Sequence, residues 1–199
     1  MFTSEKKKFK STFNNISFNF TDKNVVVIGG SKGMGEELVN FFSNNSKNII
    51  YASRTKNPTF PKKIKYIKAD VRSQNSIKKL FKNIKKIDVL IFNSGIFFSN
   101  NIEKISLNEW ENVLNTNLRG FYFCIKYALP ILKKNNNSSV INISSIAGKK
   151  NSLTAGSHYV ASKHGLIGLT RQYANELAKY NIRVNSICPS QTETKSFLK

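Results

Sequence analysis

Tyr159 and Lys163 stand four residues apart, a spacing that puts two side chains on the same face of a helix. A free tyrosine ionises near pH 10, about three units too high for a base at neutrality. An ammonium beside it favours the phenolate and lowers that value, so such a pair can give a proton to an oxygen or take one. A second feature is the run Gly29-Gly30-Ser31-Lys32-Gly33-Met34-Gly35. Glycines at 29, 33 and 35 let a backbone turn tightly, approach a pyrophosphate closely and pack the next helix onto a strand.

Those residues need elements to hold them, and the chain alternates short apolar runs with helical stretches. Asn24–Ile28, Asn48–Ala52, Ile64–Ala69, Ile87–Phe92, Val140–Ile143 and Ile182–Ile187 read as strands. Gly35–Ser43 reads as a helix, as does Ser73–Lys85 behind an N-cap serine. A long helical region starts at Ser106, where Glu109 completes a capping-box pattern, with interruptions expected near Gly120 and at Pro130. Asn135–Ser139 is polar and loop-like, and His158–Lys179 is a long helix. The strands are apolar on both faces, which predicts a doubly wound α/β domain: a parallel sheet in three layers, α/β/α. Such sheets bind ligands outside the carboxyl ends of their strands, where the chemically distinctive segments fall.

The glycine run departs from G-x-G-x-x-G and resembles the G-x-x-x-G-x-G turn of the short-chain dehydrogenase/reductase family. Six further segments fall in that family's order between residues 25 and 194. Asp70-Val71 resembles its adenine-contacting segment, and Asn93-Ser94-Gly95 its N-A-G turn near the cofactor ribose. Asn117 stands where the family has a catalytic Asn, and Ser144-Ser145 ends the fifth strand before Tyr159-Val160-Ala161-Ser162-Lys163, the Y-x-x-x-K signature. Pro189 and Thr194, with Thr192 between them, resemble the P-G-x-x-x-T segment beside nicotinamide.

The resemblance implies a hydride-transferring oxidoreductase acting on a small carbonyl or alcohol, with Tyr159 as acid/base. It also implies that Ser145 hydrogen-bonds the substrate oxygen, that Lys163 holds the nicotinamide ribose, and that Asn117 anchors a water linking Lys163 to solvent. Ser145 precedes Tyr159 by fourteen residues, one more than usual in the family; Ser144 is the alternative, on the other face of its strand. Ile28, Phe92, Ser94 and Ser190 also depart from the pattern without removing a catalytic group. His158 and His164 lack acidic neighbours at ligand spacing and read as helix-surface or partly buried residues, and no metal is expected.

NAD sites usually place an acid about 20 residues beyond the glycines, on the ribose 2′-hydroxyl. Here Ser53 takes that place and Arg54 follows. Arg54 can grip a 2′-phosphate bidentately and Lys32 adds a second cation, so the expected cofactor is NADP(H).

The formal net charge is +21, from 32 Lys and Arg against 11 Asp and Glu. Residues 54–86 hold twelve basic residues and one acid, Asp70. Lysine dominates that excess, whereas phosphate- and base-reading surfaces favour arginine. Ile77, Leu80, Phe81 and Ile84 recur at helical spacing, leaving Lys78, Lys79, Lys82, Lys85 and Lys86 on a solvated face. Nucleic acid binding is therefore a minor alternative. Cys124 and Cys188 cannot staple a domain of 199 residues, and a reducing cytoplasm is the default. No apolar run spans a bilayer.

Residues 1–16 read as a flexible extension and 17–199 as one dinucleotide-binding and catalytic domain. The family pattern continues past residue 199 with a substrate lid and a seventh strand, so six strands are expected with Ile182–Ile187 at an open edge. A chain of this length is expected to be less stable than longer relatives, and a dinucleotide-binding module with little turnover is the main alternative. Pairing through the helices near 106–133 and 155–179 would give a homodimer.

Overall fold

The computed structural model describes residues 19–193. Six strands form one parallel sheet in the order β3-β2-β1-β4-β5-β6. They are β1 (Phe20–Ile28), β2 (Ser46–Ser53), β3 (Lys65–Lys68), β4 (Val89–Phe92), β5 (Ser138–Ile143) and β6 (Ile182–Ile187). The helices are α1 (Gly33–Asn45), α2 (Gln74–Lys82), α3 (Leu107–Leu114), α4 (Gly120–Lys134) and α5 (Ser157–Ala178). The order reverses between β2-β1 and β1-β4, which opens a crevice at the carboxyl ends of those strands.

Alternation along the central strands feeds two cores. Val26, Ile28, Leu90, Phe92 and Val140 pack under α2, α4 and α5. Val25, Val27, Ile49, Tyr51 and Ile91 pack under α1 through Val39 and Phe42. The α/β/α layering is thus built, with α2 burying Ile77, Leu80 and Phe81 while its lysines stay exposed.

Several expectations need correction. Asn135–Ser139 is not all loop: Ser138 and Ser139 begin β5, because the Ser138 hydroxyl finds the Ile87 carbonyl at 3.2 Å and so can be buried. Pro130 does not interrupt α4, since the apolar face formed by Phe121, Cys124, Ile125, Ala128 and Leu132 is buried on both sides of it and offsets one missing N–H bond. The interruption before Gly120 is a π turn over Asn115–Arg119, not a break. β6 is apolar on one face only: Ile182 and Val184 are buried, while Arg183, Asn185 and Ile187 are exposed on this edge strand. The 1–16 extension lies outside the described residues.

Candidate active site

The glycine turn joins β1 to α1. Gly29 and Gly33 have φ of +83° and +56°, a region that penalises any Cβ. A Cβ on Gly35 would collide with the Gly29 carbonyl and lie 2.6 Å from Asn93 Nδ2, so the helix reaches the strand only through glycine. Asn93 Nδ2 in turn donates to the Gly29 carbonyl at 2.9 Å. Asn57, which the sequence did not single out, donates to the Ser31 carbonyl at 2.9 Å and ties the turn to the chain after β2.

A cleft of about 680 Å3 opens here, lined by Gly29, Ser31, Lys32, Gly33, Met34, Ser53, Arg54, Asp70, Val71, Asn93, Ser94 and Gly95. Arg72, Thr55, Ile96 and Thr116 also line it, and motif reasoning had missed them. Asp70 is held by Arg72, with Nη2 at 2.6 Å from Oδ2 and Nε at 3.0 Å from Oδ1. That hydrogen-bonded pairing keeps its carboxyl below the usual carboxylate range. Arg54 and Lys32 are exposed at the cleft and carry no ion pair among the described residues.

Across Gly95 lies the second cluster. Lys163 is 4% exposed, donates from Nζ to the Ile143 carbonyl at 2.9 Å, and sits 5.5 Å from the Tyr159 ring centroid. Burial draws its pKa down to about 8, against a weaker opposing pull from Cys188. Burial likewise raises the Tyr159 phenol, and only a hydrogen bond with Ser145 acts toward the phenolate. Lys163 is not among the groups that shift the Tyr159 phenol; its ammonium donates to the Ile143 carbonyl. Ser145 caps a short 3-10 turn, accepting from Ala147 N at 3.1 Å, and its side chain also hydrogen-bonds Tyr159. Ser144 is buried and bonds the Lys163 carbonyl at 3.0 Å, beneath α5.

Asn117 lies in the π turn and is fully buried. Its Oδ1 accepts from Ile96 N at 2.8 Å, and its Nδ2 donates to the Ile96 carbonyl at 3.0 Å and Ser162 Oγ at 3.1 Å. Both amide protons are therefore spent on protein, and only a lone pair on Oδ1 is left for a water. A Cβ on Gly95 would lie 3.5 Å from Lys163 Nζ and 3.6 Å from Asn117 Oδ1, so the two groups flank one glycine.

Pro189 accepts at its carbonyl from Ile146 N at 2.9 Å, and Thr192 is exposed, bonding the Ser190 carbonyl. Neither lines the cleft, and Thr194 lies outside the described residues. His164 is exposed, but His158 is not a surface residue: it is completely buried against Glu109.

The family model for short chain dehydrogenases matches residues 23–198. The chain belongs to the short-chain dehydrogenase family. It is 32% identical over 181 residues to a 3-oxoacyl-[acyl-carrier-protein] reductase of Staphylococcus aureus, a match covering 84% of this chain and 73% of the relative. A short-chain dehydrogenase of Leptospira borgpetersenii with bound NAD+ superposes with a TM-score of 0.83 at 27% identity, covering 89% of this chain and 75% of that one. ElxO with NADP bound gives 0.80 at 29% identity, covering 89% and 77%. Membership supports a hydride-transferring oxidoreductase that uses a nicotinamide dinucleotide. Among the described residues no helix is long and apolar enough to cross a membrane.

Proposed function

We propose that the protein is an NADP(H)-dependent oxidoreductase interconverting a small carbonyl and its alcohol. The observation that carries this reading is the juxtaposition, around Gly95, of the Tyr159–Lys163–Ser145 cluster with a glycine-lined cleft. The residues fit a dinucleotide. The first turn of α1 has no side-chain cap, leaving backbone N–H groups for a pyrophosphate, and the buried Asn93 Oδ1 has no partner among the described residues. Gly29, Ser31, Gly33, Met34 and Gly35 would form the cradle, with Ser94, Gly95, Asp70 and Val71 along the nucleoside. Pro189 and Thr192 would approach from the β6 side. Arg54 and Lys32 supply two exposed cations that make no ion pair among the described residues, and Ser53 offers no negative charge, which favours a 2′-phosphate over a bare ribose hydroxyl.

Nicotinamide, when bound, carries the hydride. In the reducing direction Tyr159 gives its phenolic proton to the substrate oxygen as the carbonyl carbon gains hydride. The raised phenol pKa keeps that proton in place in the resting site. Ser145 donates to the developing alkoxide. Lys163 holds the ribose and, with a pKa of about 8, can return a proton to Tyr159 near neutrality. Asn117 fixes Ile96 and supports the relay by its remaining lone pair. Free Cys124 and Cys188 suit a reducing cytoplasm, and α4 with α5 offers a face for pairing with a second copy.

Turnover tests the reading. Loss of NADPH absorbance with ethyl acetoacetate or acetophenone should require Tyr159. A Tyr159→Phe variant that turns over at the parent rate would exclude it, and cofactor binding with no turnover of any carbonyl would favour a binding module.

A further inference from the structure

The pair of half-buried Glu109 and fully buried His158 lies outside the proton-transfer cluster, yet His158 sits one residue from Tyr159. Glu109 is in the first turn of α3, where its N–H bonds the Ser106 cap at 3.1 Å. A capping box would return its carboxylate to the Ser106 N–H. Instead Oε1 meets His158 Nε2 at 2.8 Å, and Asn100 Nδ2 donates to Oε1 and Oε2 at 3.1 and 2.8 Å. The carboxylate accepts from Nε2–H, and Nδ1 is left buried without a hydrogen-bond partner among the described residues. Trp110 stacks on the ring at 16° between planes, and a Cβ on Gly156 would lie 2.7 Å from Nδ1, so only glycine fits behind it.

These contacts converge on the segment after β4. Asn117 holds Ile96 by both backbone groups, Gly156 N donates to the Phe98 carbonyl at 2.9 Å, and Glu109 holds Asn100. Between the anchors, the Phe97 and Tyr159 rings meet in a T-shaped contact, 5.0 Å between centroids and 79° between planes. A pair with one fully buried ionisable partner adds little stability over apolar residues of similar volume, and a buried Nδ1 without a partner among the described residues adds less. What the pair does supply is a directional tie among α3, residues 96–100 and the first turn of α5.

We infer that Glu109 and His158 are positioning residues that hold Tyr159 and the Phe97 wall in register for proton transfer. The inference rests on the proposed function. Its test follows kcat, KM and NADPH affinity with ethyl acetoacetate, together with the Tyr159 signal in ring-carbon-labelled protein, assigned by its absence from Tyr159→Phe. His158→Ala should lower kcat roughly tenfold to hundredfold, the size expected when a reacting group is slightly misplaced. NADPH affinity should hold within about twofold, because the pair does not touch the cleft. The Tyr159 signal should shift or broaden. Glu109→Gln, isosteric and at a half-buried position, should do the same to a smaller extent. His158→Gln, whose amide can donate where Nε2–H does, should restore both the rate and the signal. Wild-type kcat with an unmoved Tyr159 signal in His158→Ala would overturn the assignment, as would a folded His158→Gln no better than His158→Ala. If the parent turns over no carbonyl, the proposed function fails while the Tyr159 signal still decides the positioning role.

Discussion

Lys163 shows what the site costs. An ammonium 4% exposed with one carbonyl partner is poorly solvated, and its pKa falls from an ordinary 10.5 to about 8. Below about pH 8 both folded and unfolded chains carry the charge, so the full penalty of burying it is present. Between about 8 and 10.5 the unfolded chain binds the extra proton, and stability from this residue rises with pH. Lys163→Met should therefore melt higher than the parent at pH 7, by about 1–3 kcal/mol, with the difference shrinking as pH rises through that window. Parallel thermal melts across pH check this; a variant less stable at every pH would contradict it. Tyr159→Phe should bind NADPH as the parent does while losing roughly 10²–10⁴ in kcat, the usual worth of a general acid.

At the scale of elements, the glycine turn is the part that sequence reads best. Gly35→Ala would drive a Cβ into the Gly29 carbonyl and toward Asn93 Nδ2, pushing α1 off β1. NADPH affinity should drop more than about tenfold and the melt should fall by a few degrees, as for other overpacking changes. Isothermal titration and calorimetry read the two effects. The strands, the Ser73 and Ser106 caps and the lysine face of α2 were equally legible, because each depends on local pattern. The π turn was not, because it is set by tertiary contacts: Asn117 is fixed by Ile96, and Leu118 packs against Gly165. Pro130 misled for the same reason, since packing outweighs one lost bond. Glu109 and His158 are 49 residues apart, so no spacing rule joins them, and the capping-box pattern pointed Glu109 elsewhere. For Lys163 and Tyr159 the residue types were legible, but their ionisation was not, because burial decides it.

For the whole molecule the question is what the +21 charge is for. Most lysines of residues 54–86 lie on exposed faces, and Arg72 is spent on Asp70. Arg54 and Lys32 differ in standing over a cleft large enough for a dinucleotide, next to a strand end without an acid. Cofactor binding should stabilise the fold by mass action, about 2.7 kcal/mol at a hundredfold excess over Kd, visible as a raised melting temperature. The most direct test is a paired fluorescence titration of NADPH and NADH against the parent and Arg54→Ala. NADPH should bind at least about tenfold tighter to the parent, the worth of one charge-assisted contact to the 2′-phosphate, and Arg54→Ala should erase most of that margin. Equal affinity for NADH and NADPH in the parent would contradict the account.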